Sequence, residues 1–329
     1  MDHMRLQRKH PRATTFHLVS KRIIIISGPT ASGKSELAVQ LSLKLNAQIL
    51  SADSRQVYKE LDIGVAKPTR TQLETISHHL VSYVSIHEKY SAGQWARDAR
   101  GVIDACFGDA NQVKRRRNSD SEIDTLIIAG GSGLHVQALL EGIPQMPEVS
   151  SDIRESYMEK FATKGIGSLQ KELKELDPAY FERVDQQNAH RLQRALCAIA
   201  ASGKTFTELR NAPRHPLPYP ASWIILEPKR EQLYERINQR VEEMIDAGLE
   251  EEARGFYPIR ALDALQTIGY REWWPYFEGE CDRTVAIEKI KQASRQYARR
   301  QLTWNRRLEG LHVGSPDPEV ILNHLNSIT

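Results

Sequence analysis

The chain has 329 residues, 40% of them apolar, and 45 Lys and Arg against 42 Asp and Glu for a formal net charge of +3. That length can bury one large core, or a core with a smaller appended domain, and no stretch approaches the roughly 20 apolar residues that span a bilayer. Cys106, Cys197 and Cys281 form no CxxC pair, so neither a disulfide framework nor a zinc site is suggested, and a reducing cytoplasm fits. The near-balanced charge neither demands nor excludes nucleic acid; its distribution matters more.

Residues 1–21 are basic without the apolar run of a secretory signal, and are read as an N-terminal extension. Arg22–Ser27 is β-branched and apolar, a strand. Gly28–Gly33 is turn-rich, and Lys34–Leu45 carries Leu37, Ala38, Leu41 and Leu45 at helical spacing. A second strand, Ala47–Ser51, runs to Asp53. Lys114–Asp124 is polar and charged, a loop. Thr125–Ala129 predicts a strand that enters Gly130-Gly131-Ser132-Gly133 and then a helix near Leu134–Leu140. From about Pro144 to Thr205 the sequence is helical and charged. Trp223–Leu226 predicts a further strand. One long helix is expected over Arg230–Arg254, with Leu233, Ile237, Val241, Met244, Ile245 and Leu249 on one face. Another is expected over Thr284–Arg307, with Ile287, Ile290, Tyr297 and Trp304 on one side and Arg residues elsewhere. Alternating strands and helices imply an α/β fold, a P-loop-type doubly wound parallel sheet with a helical insertion domain. The expected division is a core over 22–143, a helical insertion over 144–205, and core completion with basic helices over 206–329.

Gly28-Pro29-Thr30-Ala31-Ser32-Gly33-Lys34-Ser35 matches G-x-x-x-x-G-K-[ST] after a strand and at the start of a helix. The glycines let backbone N–H groups face an anion. The helix N-terminus adds a partial positive charge and Lys34 a full one. The Ser35 hydroxyl is placed to ligate a Mg²⁺ ion that bridges phosphate oxygens. The loop implies a polyphosphate without saying which. An ATPase or GTPase normally adds an acid directly after an apolar strand, but Thr125–Ala129 runs into glycine. The acid at a strand end in the first half is Asp53. A nucleoside triphosphate and a simple diphosphate both remain open on this reading.

Further motifs follow the loop. They are Asp53-Ser54-Arg55-Gln56-Val57-Tyr58, Leu61–Thr69, His78-His79-Leu80, Tyr90–Gly93, Gly130–Leu134 with Ala138–Gly142, Arg191 and Arg194 with Ser202–Thr205, Ile268–Glu272, and Ser294–Trp304. Together, over roughly residues 22 to 307, the chain closely resembles the tRNA dimethylallyltransferase (tRNA isopentenyltransferase) family. The resemblance implies transfer of a dimethylallyl group from dimethylallyl diphosphate to N6 of the adenosine 3′ of the anticodon. An exocyclic amine is a poor nucleophile, so the reaction needs a base and a stabilised leaving group. Asp53 can be the base. The loop amides, Lys34 and a Ser35-bound ion can stabilise the diphosphate. By resemblance, Arg240 reaches the diphosphate, and Ser132 stands where the family has a Thr that bonds the adenine near N6.

The target adenine must leave its stack to reach a buried site, and the anticodon loop is single-stranded, the usual target of sequence-specific RNA recognition. By resemblance the tRNA contacts fall on Asp53, Ser54, Arg55, Gln56 and Ser132, on Arg154, and on His190, Arg191, Leu192, Gln193 and Arg194. They continue with Gln266, Thr267, Ile268, Gly269, Tyr270 and Arg271, and with Arg299, Arg300, Gln301, Thr303, Trp304 and Arg306. The arginines supply phosphate contacts; Tyr270 and Trp304 are candidate stacking surfaces, and Gln56 a candidate reader of a base edge. The partners implied are tRNA, through its anticodon stem-loop, and dimethylallyl diphosphate, with no membrane and a monomeric enzyme. Val65, His135 and Asn305 depart from the family pattern, at positions expected to lie away from the phosphate loop and the base. A small-molecule kinase, a transferase acting on free adenine nucleotides, and a non-catalytic RNA-binding protein are the competing readings.

Overall fold

The structure, a computed structural model, describes residues 21–108 and 123–328. The N-terminal extension and the basic run Lys114–Arg117 lie outside the described residues. In chain order the elements are β1 (Arg22–Ser27), α1 (Lys34–Leu45), β2 (Gln48–Ser51), α2 (Arg70–Thr75), β3 (His78–His79), α3 (Ala92–Phe107), β4 (Thr125–Gly130), α4 (Gly133–Glu141), α5 (Ser151–Leu176), α6 (Pro178–Phe181), α7 (Ala189–Ser202), α8 (Phe206–Arg210), β5 (Ala221–Leu226), α9 (Arg230–Asp246), α10 (Leu249–Phe256), α11 (Trp274–Phe277), α12 (Arg283–Asn305), β6 (Leu311–Val313) and α13 (Pro318–Ser327). The strands form one parallel sheet in the order β3-β2-β4-β1-β5-β6.

The sequence of β1 explains its central place. Alternate residues of a strand face opposite sides. Ile23 and Ile25 therefore enter one apolar cluster, with Trp95, Ile103 and Trp273. Ile24 and Ile26 enter the other, with Leu37, Leu41 and Ile321. Both faces are covered, so a continuous apolar run is required. The edge strands β3 and β6 have only two and three residues. Neither is long enough to show a period of two, so neither was expected from sequence.

Two expectations about helices change. The helix expected over Arg230–Arg254 is two helices, because Gly248 adopts φ 100° between α9 and α10, in the left-handed region that glycine reaches without steric cost. The helical stretch α5 is broken at Gly165, φ 68°, and folds back on itself. Tyr157 donates to Glu172 Oε1 at 2.8 Å, although 15 residues of unbroken helix would hold them roughly 22 Å apart. The helices α5 to α8 share their own apolar cluster around Leu169, Leu173, Leu192 and Leu196. That cluster takes in Phe206 and Leu209, so the helical unit runs past residue 205. No helix among the described residues is long and apolar enough to cross a membrane.

Candidate active site

The phosphate loop leaves β1 at Ser27 and turns into α1. Ala31 has φ 61° and Gly33 φ 93°, a left-handed pair that curls successive amides inward. Ser32 is buried, and its hydroxyl has no partner among the described residues. A Cβ on Gly28 would lie 2.8 Å from that hydroxyl, so the first glycine is needed for the loop to close on itself. Lys34 donates from Nζ to the Pro29 carbonyl at 2.6 Å. Desolvation in the cavity, and then the Arg240 guanidinium, pull its pKa down to about 7, against the opposing pull of Asp53. Arg240 reaches the loop from α9, donating to the Thr30 hydroxyl at 3.2 Å.

These groups line a cavity of about 350 Å³, among them Thr30, Lys34, Ser35, Asp53 and Arg240. Val65, Ile237, Val241, Met244 and Ile290 line an apolar part of the same cavity. Arg55, Gln266, Arg271 and Arg300 add polar and cationic groups to its walls. Asp53 follows β2. Its Oδ1 accepts the amides of Arg55 (2.8 Å) and Gln56 (3.3 Å), an Asx turn that fixes the carboxylate. No hydrogen bond among the described residues engages Oδ2. Ser132 opens the turn after β4; its amide donates to the Ala52 carbonyl at 3.2 Å and its hydroxyl accepts the Ser54 amide at 3.2 Å. The Tyr297 phenol lies near Ser132 and feels the Asp53 charge; burial, chiefly, pushes its pKa up to about 12.

The glycines of the second motif serve close packing. A Cβ at Gly130 would lie 2.2 Å from the Ala52 carbonyl oxygen, one at Gly131 2.1 Å from Gln301 Nε2, and one at Gly133 2.0 Å from Trp304 Nε1. The helix α12 therefore rests directly on this turn. Trp304 is half-buried there, its indole N–H buried and without a partner among the described residues.

Several other side chains expected at the nucleic-acid contact are engaged within the protein. Tyr270 is 0% exposed and donates to Glu252 Oε1 at 2.8 Å. Leu192 is fully buried in the core of the helical unit. The Gln56 carboxamide is turned inward, accepting from Ser51 Oγ (2.9 Å) and donating to the Ala66 carbonyl (2.9 Å). Gln193 donates to the Tyr157 carbonyl, and the Thr303 hydroxyl to Arg299 within its own helix. Gln301 bonds two loops of the core, as described below. Gln266 donates to the Arg260 carbonyl, while Thr267, Ile268, Gly269 and Arg271 line the cavity beside Ser54. Arg299, Arg300 and Arg306 are exposed on α12.

Arg154, His190, Arg191 and Arg194 do not reach this cavity. Arg154 and His190 are exposed on α5 and α7. Arg191 and Arg194 line a second recess of about 470 Å³ with Arg210, Arg214, Gln137 and Tyr180, between α4 and the helical unit. Of the departures, His135 is buried edge-on to Trp95, ring centroids 5.2 Å apart, and burial lowers its pKa to about 4. Asn305 does touch the base of the phosphate loop, accepting from Ser27 Oγ at 2.9 Å, contrary to expectation. Sequence reading missed Tyr297 as a site residue. The available signal was the repeat Tyr297, Gln301, Asn305, a four-residue spacing that aligns polar side chains on one helix face.

A parallel α/β sheet, a phosphate loop at the carboxyl end of its central strand, and a carboxylate one loop away define a transferase-type P-loop fold. The model of the IPP transferase family matches residues 56–308. The tRNA dimethylallyltransferase 1 of Bacteroides fragilis is 38% identical over 311 residues, 94% of this chain and 99% of that protein. The tRNA dimethylallyltransferase of Cytophaga hutchinsonii is 38% identical over 87% of this chain and 90% of its own. Among solved structures, the tRNA isopentenylpyrophosphate transferase of Bacillus halodurans superposes with TM-score 0.63 at 29% identity, covering 94% of this chain and 95% of its own. A eukaryotic dimethylallyltransferase acting on tRNA gives TM-score 0.70 at 25% identity, over 87% of this chain and 70% of its own. The chain belongs to the IPP transferase family.

Proposed function

We propose that this protein transfers a dimethylallyl group from dimethylallyl diphosphate to N6 of the adenosine 3′-adjacent to the anticodon in tRNA. The observation that carries the reading is one cavity lined both by the cationic phosphate loop and by the apolar side chains Val65, Val241, Met244 and Ile290. A short branched hydrocarbon on a diphosphate has that same division of polarity. A nucleoside triphosphate would place a polar ribose and base against the apolar wall. The family's relatives named for tRNA supply the acceptor.

On this reading the diphosphate rests on the loop amides with Lys34 and Arg240 against its oxygens. The N6 lone pair forms a bond to the allylic C1 as the C1–O bond breaks, and the electron pair leaves with the diphosphate. The N6 proton passes to Asp53, held at the cavity by its Asx turn. Ser132, bonded to the Ser54 amide, presents a hydroxyl beside the path of the base. Apolar walls keep water from the electron-deficient carbon.

Among the described residues no three His, Cys, Asp or Glu side chains are grouped to hold a metal. The oxygen donor at hand is the Ser35 hydroxyl, a hard ligand that suits Mg²⁺ held by one protein group, waters and substrate phosphates. When bound there, the ion would neutralise charge developing on the leaving diphosphate. Exposed Arg299, Arg300 and Arg306, with Arg191 and Arg194 on the helical unit, give the anticodon stem-loop phosphate contacts. The enzyme acts as a monomer in the cytoplasm, where its substrate is.

The test is incubation with labelled dimethylallyl diphosphate, magnesium, and either unmodified tRNA or AMP. Label enters tRNA and is lost in Asp53→Ala. Label in AMP, or in neither acceptor, refutes the reading.

A further inference from the structure

The helix α12 is hydrogen-bonded to both loops of the site through residues one helical turn apart. Tyr297 lies near enough to Ser132 for that hydroxyl to act on its phenol. Asn305 bonds Ser27 at the root of the phosphate loop. Between them, Gln301 bonds both loops at once. Its Oε1 accepts the Thr30 amide at 2.8 Å, and its Nε2 donates to the Gly131 carbonyl at 3.1 Å. The side chain is 7% exposed.

A carboxamide is suited to this position, because one planar group carries both an acceptor and donors. Thr30 belongs to the loop that receives the phosphates. Gly131 directly precedes Ser132, the hydroxyl on the acceptor side. With its rotation blocked by burial, Gln301 cannot follow one loop without carrying the other. We infer that Gln301 is a positioning residue through which diphosphate binding and RNA binding strengthen each other. The inference rests on the transferase reading for the identity of the two ligands. A brace that served folding alone would give stability without linking the two affinities; linkage requires that each ligand bias the same element.

The experiment measures the affinity of an anticodon stem-loop RNA with and without inorganic pyrophosphate and magnesium, and the affinity for pyrophosphate with and without the RNA. In the unaltered protein each ligand tightens the other by the same factor, roughly fivefold or more, while in Gln301→Met the factor falls to about 1 and each separate affinity stays within about threefold. A factor unchanged in Gln301→Met, or absent in the unaltered protein, overturns the inference. Should Gln301→Met fail to fold, Gly131→Ala breaks the bridge from the other side, since its Cβ would lie 2.1 Å from Nε2, and the same loss of linkage is expected. Prenyl transfer is assayed in parallel. Transfer to tRNA without linkage overturns this inference alone. Linkage without transfer overturns the assigned reaction alone. No RNA binding overturns both.

Discussion

Glu252, on α10, offers a prediction that the sequence does not suggest. Its carboxylate accepts the Asp62 amide (2.7 Å), the Gly64 amide (3.2 Å) and the Tyr270 hydroxyl (2.8 Å). It thereby ties the Ile63–Val65 turn, part of the cavity wall, to the 266–271 segment on the other side. In Glu252→Ala the Tyr270 hydroxyl, with the ring fully buried, loses its acceptor, at about 1–3 kcal/mol for an orphaned group. The two turn amides regain water, so their loss adds only about 1 kcal/mol. The total is about 3 kcal/mol. For a chain of 329 residues, with an unfolding entropy of about 2.1 cal/mol/K per residue, that lowers the Tm by about 4 °C. The assay is urea denaturation of Glu252→Ala, Tyr270→Phe and the double variant. Because Phe leaves no hydroxyl to orphan, the double variant should cost about 1–2 kcal/mol less than the sum of the singles. Additivity within about 0.5 kcal/mol would refute the shared buried bond. The donor KM should rise more than kcat falls, since the wall moves and the reacting groups do not.

On the proposed function, Lys34 should make diphosphate binding depend on pH. Its pKa in the free protein is lowered to about 7, so at pH 8 it is mostly neutral, and a bound diphosphate returns its charge. Titration calorimetry at pH 8 in two buffers of different ionisation enthalpy should report uptake of nearly one proton per pyrophosphate, falling toward zero in Lys34→Met; affinity should weaken as pH rises through 7. Arg240→Ala removes the donor to Thr30 and should raise the donor KM by about tenfold, the loss of one charge-assisted contact of about 1.4 kcal/mol, with the affinity for RNA alone unchanged; an unchanged KM would remove Arg240 from the phosphate site. Gly133→Ala sets a Cβ 2.0 Å from Trp304 Nε1 and 2.5 Å from two further indole atoms. It should cost about 1–3 kcal/mol by overpacking, measured by urea denaturation, and Gly133→Ala/Trp304→Leu should recover most of it.

Much of this architecture was legible because it follows from local chemistry. The run Ile23–Ile26 has one environment open to it, a strand with both faces covered. The phosphate loop is specified by the left-handed backbone at Ala31 and Gly33 and by the helix behind it. What stayed hidden depends on distant packing. Tyr270 and Trp304 have the same side-chain chemistry buried or exposed; only Glu252, 18 residues away, and Gly133, across the chain, decide between the two. Leu192 lies between arginines in sequence but faces inward, as a helix of period 3.6 requires of its apolar stripe. Gln56 and Gln301 read as surface polar groups until the carbonyls and amides that saturate them are in place. The Arg230–Arg254 pattern kept a helical period across Gly248 because a glycine break shifts the direction of a chain without altering its composition.

The placement of the carboxylate accounts for how a loop shared with nucleotide-hydrolysing proteins comes to serve another chemistry. β4 is the direct neighbour of β1, with Gly130 opposite Ser27. A carboxylate directly after an apolar strand is what an ATPase uses to orient a metal and water at the phosphates. Here that position is held by Gly130, where any side chain would strike the Ala52 carbonyl oxygen, 2.2 Å from the Cβ. The backbone following β2 has taken the space. The acid then comes from β2 itself, at Asp53, one strand further out and so about 5 Å farther from the phosphate loop. That displacement leaves Asp53 within electrostatic reach of Lys34 and Arg240, yet beside Ser54, Ser132 and Tyr297. On the proposed reaction, a carboxylate so placed is removed from the water-activating position and set on the side from which the acceptor amine would arrive. The loop would then hold the leaving group while the proton departs to Asp53, and the close contact between Gly130 and Ala52 leaves no room for a carboxylate at the β4 position.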